Sequence, residues 1–148
     1  MSQLLEYAVT GRNQNEKAVC QTGEWVMFCA KTIEAQAPDF WKDLLSSVKK
    51  RVGEHRLSAQ AFQKTLPTQF FVHKGKLPAV TVAVDLDIAA HTVRYTTVRR
   101  TSREVDESRI ERRMVFHLDD AGGLYLKQGE ASLNVDDAAE LLLLPFVQ

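Results

Sequence analysis

The 148-residue sequence contains only two cysteines, seven glycines and four prolines. Small secreted proteins that depend on disulfides are much richer in cysteine, so this class is excluded. Cys20 and Cys29 are nine residues apart on a predicted helix and point to opposite sides of it, so we expect two unpaired, reduced thiols. The scarcity of glycine and proline argues against a low-complexity or disordered chain.

Net charge and long apolar runs are also missing. Nineteen basic residues balance nineteen acidic ones, so no overall charge attracts nucleic acid or anionic lipid. The apolar run Leu141–Val147 (LLLLPFV) is far shorter than the roughly 20 residues of a membrane span. The first residues show neither the basic start nor the apolar core of a secretion signal. We therefore expect a cytoplasmic protein that makes no contact with membranes.

Motifs of established chemistry are absent as well. There is no H-E-x-x-H or C-x-x-C metal motif, no G-x-S-x-G nucleophile, no Walker loop and no G-x-G-x-x-G. Asp85 and Asp87 share one strand face, but an arginine opposite them would keep them ionised, which is the wrong state for a general acid. His117 would need His73 or His91 beside it to hold a metal ion. We expect no metal and no cofactor, and the balance of these absences favours a protein that is not an enzyme.

The first half of the chain has helical periodicity. Apolar residues recur at three- to four-residue spacing from Asn15 to Ala37. Pro38 is predicted to end this helix, and Asp39 to cap a second helix that runs to Val52. The segment 57–65 (LSAQAFQKT) is predicted to add a further helical turn.

The second half has the two-residue period of strands. Residues 79–88 alternate between apolar and polar, and a turn returns the chain into a strand over 92–100. A further strand, 109–118, is followed by the turn DDAGG and a strand over 124–128. Residues 69–75 are a candidate first strand at the sheet edge.

The register of the predicted hairpins follows from these patterns. Placing Asp87 opposite Thr92 brings oppositely charged residues together on the outer face and apolar residues together on the inner face. The predicted pairs are Val84 with Tyr95, Asp85 with Arg94, Leu86 with Val93, Phe116 with Leu126 and Leu118 with Leu124.

A run of helices followed by a run of strands predicts an α+β fold. We expect one domain over residues 1–148, with N-terminal helices (about 1–65) packed on one face of the sheet. The sheet is predicted to be an antiparallel meander of four to five strands (about 66–130), followed by a C-terminal helix (about 134–144).

Seven of the ten arginines lie between Arg94 and Met114. The predicted register places Arg100 and Arg113 on the outer face among acidic residues, as in the charged rim of a soluble sheet. It places Arg99 and Arg112 on the inner face at one end of the sheet. An arginine there must reach solvent, pair with a carboxylate or face an anionic ligand. These four arginines are the candidate binding residues.

Four successive leucines occupy most of the circumference of the C-terminal helix. One sheet face covers about half of such a helix, so either the N-terminal helices or a second copy must cover the remainder, and the sequence favours a second copy. The candidate interface residues are Leu141, Leu143, Leu144 and Phe146.

The favoured hypothesis is a small, non-catalytic, cytoplasmic protein that binds a protein partner or itself. One alternative is an anion or nucleic-acid binder that uses the arginines of the strands 92–100 and 109–118. Nucleic acid is the less favoured partner, because exposed aromatic residues for base stacking are missing beside these arginines. A further alternative is a small-ligand carrier or enzyme with a crevice between helices and sheet, lined by Trp25, Phe28, Phe40 and Trp41.

Overall fold

The computed structural model describes residues 23–58, 60–101 and 107–147, without the side chains of 23–25. The chain divides into two compact units, Met1–Ala35 and Gln36–Gln148. Helix α1 (Gly23–Glu54) begins in the first unit, where Val26, Met27 and Phe28 are exposed. The sheet, the C-terminal helix and the part of α1 from Gln36 onward lie in the second unit.

Seven strands form one antiparallel sheet in which every strand lies beside its neighbours in the chain. The strands are β1 (Phe62–Leu66), β2 (Gln69–Lys74), β3 (Ala79–Asp87), β4 (Thr92–Arg100), β5 (Glu107–Leu118), β6 (Leu124–Gln128) and β7 (Ala131–Leu133). Helix α2 (Val135–Leu143) and a 3₁₀ turn (Leu144–Phe146) follow the last strand. Within the described residues, no helix is both long enough and apolar enough to cross a membrane.

The predicted α+β class and antiparallel meander are confirmed, but the predicted number of strands is too low. The segment 57–65, predicted to be helical, contains most of β1, and residues 69–74 form the second strand rather than the first. Strands β1 and β7 are short and mostly exposed. They therefore lack the apolar alternation by which strands are recognised in a sequence.

The register predicted for the two hairpins is confirmed. The turn between β5 and β6 contains Gly122 at φ +83°, a backbone conformation that glycine adopts at no steric cost. Each predicted pair is present: Val84 with Tyr95, Asp85 with Arg94, Leu86 with Val93, Asp87 with Thr92, Phe116 with Leu126 and Leu118 with Leu124.

The core of the second unit lies between α1 and one face of the sheet, the inner face. The rings of Phe40 and Phe116 meet edge to face with centroids 5.4 Å apart, and Trp41 lies 5.4 Å from Phe70. The Trp41 indole Nε1–H donates to the carbonyl of Pro67 at 2.9 Å, so its polar atom is satisfied. The other buried apolar residues of this layer include Leu44, Val48, Val52, Val72, Val82, Val84, Val93 and Met114.

Helix α1 continues through Pro38, which corrects the predicted break between two helices. Proline removes one backbone hydrogen bond and disfavours a helix on local grounds. Here Ala37 and Trp41 flank the proline and are both buried. Burial of this continuous stripe offsets the local cost, and Asp39 lies inside the helix rather than at its start.

Helix α2 confirms the predicted C-terminal helix. Its N-terminus is a capping box, in which the Asp137 N–H donates to the Asn134 side chain at 2.8 Å and the Asn134 N–H donates to Asp137 at 3.4 Å. Arg51 of α1 binds Glu140 at 3.0 Å, and the Ser47 hydroxyl donates to Asp136 at 2.8 Å. These contacts fix α2 against the C-terminal end of α1.

Candidate functional site: the open edge of β5

Strand β5 has two different lateral surroundings. It pairs with β4 along Glu107–Val115, whereas its pairing with β6 covers only Val115–Leu118. Along Glu107–Met114, no strand of the described chain pairs with the second side of β5. We call this stretch the open edge.

The direction of the backbone groups along the open edge follows from one hydrogen bond. The Phe116 N–H donates to the carbonyl of His91, on the β4 side, at 2.8 Å. Successive residues of a strand direct their N–H and C=O groups to opposite sides. The groups that face away from β4 at the open edge therefore belong to Glu107, Arg109, Glu111 and Arg113. An antiparallel partner strand would need these N–H donors and C=O acceptors.

The outer face of the sheet continues a charged pattern up to the open edge. Arg94 of β4 binds Asp85 of β3 at 2.6 Å, and Arg113 of β5 lies opposite Arg94. The hydrogen bond to Asp85 and the charge of its carboxylate raise the pKa of Arg94 above its ordinary value. Arg100 approaches Glu107 to 3.8 Å. The salt bridges formed among the described residues do not include Arg109 or Arg113.

The inner face of the open edge is exposed. Ile110 is 48% exposed and lies opposite the partly exposed Thr97, whereas Tyr95 of β4 and Val82 of β3 on the same face are buried. Arg112 lies opposite the buried Tyr95 and is itself exposed. The buried layer therefore ends at Met114, and the first half of β5 extends beyond it.

The register places the four candidate binding arginines at this end of the sheet. Arg99 and Arg112 are on the inner face, and Arg100 and Arg113 are on the outer face, so the structure does not gather all four into one pocket. Arg112 reaches solvent, and Arg100 has Glu107 beside it. Their role in binding an anion stays a prediction.

The candidate interface residues of α2 have unequal surroundings. Leu143 is only 1% exposed and Leu142 is buried beside it. For these two residues the chain itself supplies the covering surface that the sequence argument assumed to be missing, so Leu143 has no surface to offer a partner. Leu141 and Phe146 are partly exposed and Leu144 is 44% exposed, so a dimer through α2 would depend on these three.

Two open depressions lie on the outer face of the sheet. One, of about 330 Å³, is lined by residues that include Phe71, Asp85 and Arg94, and the other, of about 510 Å³, by residues that include His73 and Glu107. Neither lies between helix and sheet, where the predicted crevice would be. Phe40 and Trp41, predicted as possible pocket residues, are buried core residues, and the Trp25 side chain lies outside the described part of the structure.

Titratable groups do not form a reactive cluster in the described parts of the chain. No group of three or more histidine, cysteine, aspartate or glutamate side chains is arranged to hold a metal ion there. His117 stacks on Tyr125 with ring centroids 5.8 Å apart. Partial burial, together with the charge of Lys127, lowers the pKa of His117 below its ordinary value.

Comparison of the chain with protein-family models, with curated proteins and with solved structures found no match. The geometry of the open edge is therefore the main indication of what the protein does.

Three residues of this edge were missed as functional candidates, Glu107, Ile110 and Glu111, whereas Arg109 was included only among the arginines of the anion-binding alternative. Two signals in the sequence could have found them. Charges of alternating sign occupy every second position from Glu107 to Arg113, and the apolar strand that follows the DDAGG turn is much shorter than the strand before it. A long strand beside a short one leaves part of its edge unpaired.

Proposed function

We propose that the protein is a non-catalytic protein-interaction protein that binds its partner by strand addition at the open edge of β5. One observation carries this proposal: Glu107–Met114 is held by β4 on one side and has no described strand on the other. Backbone groups at such an edge accept an added strand from a partner, which is a recurrent mode of protein recognition.

The side chains of the open edge support reversible docking. An apolar edge of this length would promote aggregation, whereas charged residues on both faces make uncontrolled pairing unfavourable. Arg109, Glu111, Arg112 and Arg113 are exposed, with Ile110 between them. A partner strand must therefore match a pattern of charges as well as supply backbone hydrogen bonds. In agreement with the sequence analysis, we place this activity in the cytoplasm.

The test uses a substitution that blocks the open edge without removing the ladder to β4. The N–H of Glu111 faces away from β4, so Glu111→Pro removes an edge donor and leaves the hydrogen bonds to β4 in place. Glu111→Gln removes the same charge but keeps the N–H and is the matched control. Tagged wild-type protein and both variants are used for affinity capture from native lysate, with and without nuclease.

We expect protein partners to be captured by the wild type, retained at a reduced level by Glu111→Gln and lost with Glu111→Pro. Nuclease treatment should leave the capture unchanged. Equal capture by all three proteins would exclude docking at the open edge. Capture that disappears with nuclease would favour the nucleic-acid alternative instead.

A further inference from the structure

We infer that the strand added at the open edge is β5 of a second copy of this chain, paired antiparallel in one register centred on Ile110. This inference rests on the proposed function, because it names the partner of the same edge. Three properties of β5 support it: charge complementarity, the position of β6 and the direction of the backbone groups.

The first property is charge complementarity on the outer face. A two-fold axis perpendicular to the sheet pairs β5 with its copy and keeps outer-face residues opposite outer-face residues. With Ile110 on the axis, Glu107 lies opposite the partner's Arg113, and Arg109 lies opposite the partner's Glu111. By symmetry each of these pairs occurs twice. Every charged outer-face residue of the open edge then has an opposite charge across the interface, which is the favourable cross-strand arrangement.

Registers centred on the neighbouring outer-face residues lose this complementarity. With Arg109 on the axis, Arg109 faces its own copy and Glu107 faces the partner's Glu111. With Glu111 on the axis, Glu111 faces its own copy and Arg109 faces the partner's Arg113. Like charges directly opposite each other are destabilising, so these two shifts are disfavoured.

The second property is the position of β6. Val115 already pairs with Lys127 of β6, so the open edge ends at Met114. In the register centred on Ile110, Glu107 of the partner lies opposite Arg113, one position before that limit. A register centred on Glu111 would place the partner's Glu107 opposite Val115, where β6 already lies. The register with the best charge match is therefore also the longest one that fits beside β6.

The third property is the direction of the backbone groups. In this register Glu107, Arg109, Glu111 and Arg113 form the hydrogen-bonded pairs, and these are the residues whose N–H and C=O groups face away from β4. Ile110 then falls at a non-hydrogen-bonded pair, where the Cα atoms of the two chains are about 4.5 Å apart. Each half-exposed Ile110 is covered by its counterpart on the inner face.

The interface also extends two rows of charged residues that lie opposite one another on neighbouring strands of the outer face. Arg113 has the like-charged Arg94 beside it on β4, while Arg94 binds Asp85. The partner's Glu107 supplies an acidic group on the free side of Arg113. In a parallel row, Arg100 and Glu107 are followed by the partner's Arg113.

Sedimentation of the purified full-length protein over roughly a hundredfold range of concentration tests the assembly. Because the interface is small, we expect a dimer with a dissociation constant on the order of micromolar. Arg109→Glu and Glu111→Arg should each weaken the dimer by about tenfold or more, since each places like charges opposite each other at two symmetric positions. The double variant Arg109→Glu with Glu111→Arg restores opposite charges and should return the dissociation constant to near the wild-type value.

A cysteine at the axis gives an independent readout of the register. In a background in which Cys20 and Cys29 are replaced by serine, Ile110→Cys should form a disulfide-linked dimer under mild oxidation, because facing Cα atoms are within disulfide range. Arg109→Cys is the matched control. Its two copies would be separated by about 8 Å between Cα atoms, beyond the roughly 7 Å limit for a disulfide.

A wild-type protein that stays monomeric over the whole range would overturn the second-copy inference. So would a double variant that fails to restore the dimer, or equal cross-linking of Ile110→Cys and Arg109→Cys. A dimer that is insensitive to Arg109 and Glu111 but lost in Leu144→Asp would place the interface on α2 and also overturn it. In each of these cases the proposed function still stands if Glu111→Pro abolishes capture of another protein. The proposed function fails if Glu111→Pro leaves that capture unaffected, or if the capture is lost with nuclease.

Discussion

The two halves of β5 share one neighbour, β4, and differ in their other surroundings. In the second half, Met114 and Phe116 are buried on the inner face, Phe116 contacts Phe40 of α1, and the residues from Val115 onward lie beside β6. Residues Glu107–Arg113 are exposed on both faces, and among the described strands they pair only with β4. Pairing with a neighbouring strand therefore holds the first half of β5 in place without burying it.

The first half of β5 is supported from one direction. Strand β3 reaches Ala79, opposite Arg100, so β4 is a central strand over most of its length. This support compensates for the marginal stability of an isolated two-stranded hairpin. The second half of β5 contributes buried residues to the core, whereas the residues of the first half are exposed to solvent. One half of the strand therefore stabilises the fold, and the other half is the candidate binding site.

The sharpest test of this contrast places the same charge in each half of β5. Met114→Asp buries an unpaired carboxylate and should destabilise the protein by more than about 4 kcal/mol, or unfold it. Ile110→Asp lies on the same face four residues earlier and should cost less than about 1 kcal/mol in dilute protein. Urea denaturation followed by tryptophan fluorescence measures both. Equal costs would mean that Ile110 is buried in the monomer.

The difference between buried and exposed positions can also be tested in and just after α2. Leu142→Ala removes a buried side chain and should cost about 2–5 kcal/mol. Leu144→Ala, on the half-exposed side of the helix end, should cost less than about 1 kcal/mol. Urea denaturation of the two variants provides the comparison. If Leu144→Ala proved as costly as Leu142→Ala, Leu144 would have to be covered, as in a dimer through α2.

Proline substitutions test which backbone N–H groups of the open edge face β4 and which face away from it. Arg112→Pro removes an N–H that faces β4 and leaves a carbonyl of the ladder without its donor, which should cost about 1–3 kcal/mol. Glu111→Pro removes an N–H that faces away from β4 and should cost less. The unfolding midpoints must be measured at a concentration low enough to exclude dimers. The reverse order would show that the assigned direction of the backbone groups is wrong.

The smallest expected effect is a pH dependence from the second half of β5. Because the pKa of His117 is lowered in the folded state, the folded protein binds fewer protons than the unfolded chain between that lowered pKa and the ordinary value of about 6.5. The stability contribution of neutral His117 is therefore present above about pH 6.5 and is lost as the pH falls towards the lowered pKa.

We expect the unfolding midpoint in urea to fall slightly more on acidification in the wild type than in His117→Gln. The difference should be small because His117 is largely exposed. Parallel pH profiles for the two proteins would show that the local surroundings of His117 do not affect its ionisation.

The central sheet could be predicted because its signals are local. Strand β3 alternates along its whole length, and the charges of Asp85 and Arg94 fix its pairing with β4. The N-terminal cap of α2 is likewise formed by residues close together in the sequence, Asn134 and Asp137. These features depend on positions close together in the chain, so a sequence pattern identifies them.

Helix α1 and the outer strands could not be predicted in the same way. Pro38 is a local signal for a break, and it is overridden by burial of Ala37 and Trp41, which depends on the folded sheet. Strands β1 and β7 gain their conformation from pairing with β2 and β6 and not from their own composition. In both cases tertiary contacts decide what local propensity does not.

The candidate site was predicted only in part. The concentration of arginines was visible, but the acids between them indicated a neutralised rim. Whether a charged residue of β5 is available to a partner depends on which strand lies beside it. This is decided by the point at which the pairing of β6 with β5 ends. The exposure of Ile110 could not be predicted either, because burial of the inner face depends on the folded chain.

The order of the strands has a consequence for how the chain folds during synthesis. Because each strand pairs with its neighbours in the chain, the sheet can form by successive closure of short loops, each with a small entropic cost. Helix α1 precedes the described strands in the chain and leaves the ribosome before them, whereas Phe116, which packs against Phe40, belongs to β5. Trp41 can therefore meet its partner Phe70 as soon as β2 has been synthesised, whereas Phe40 lacks its partner until β5 follows.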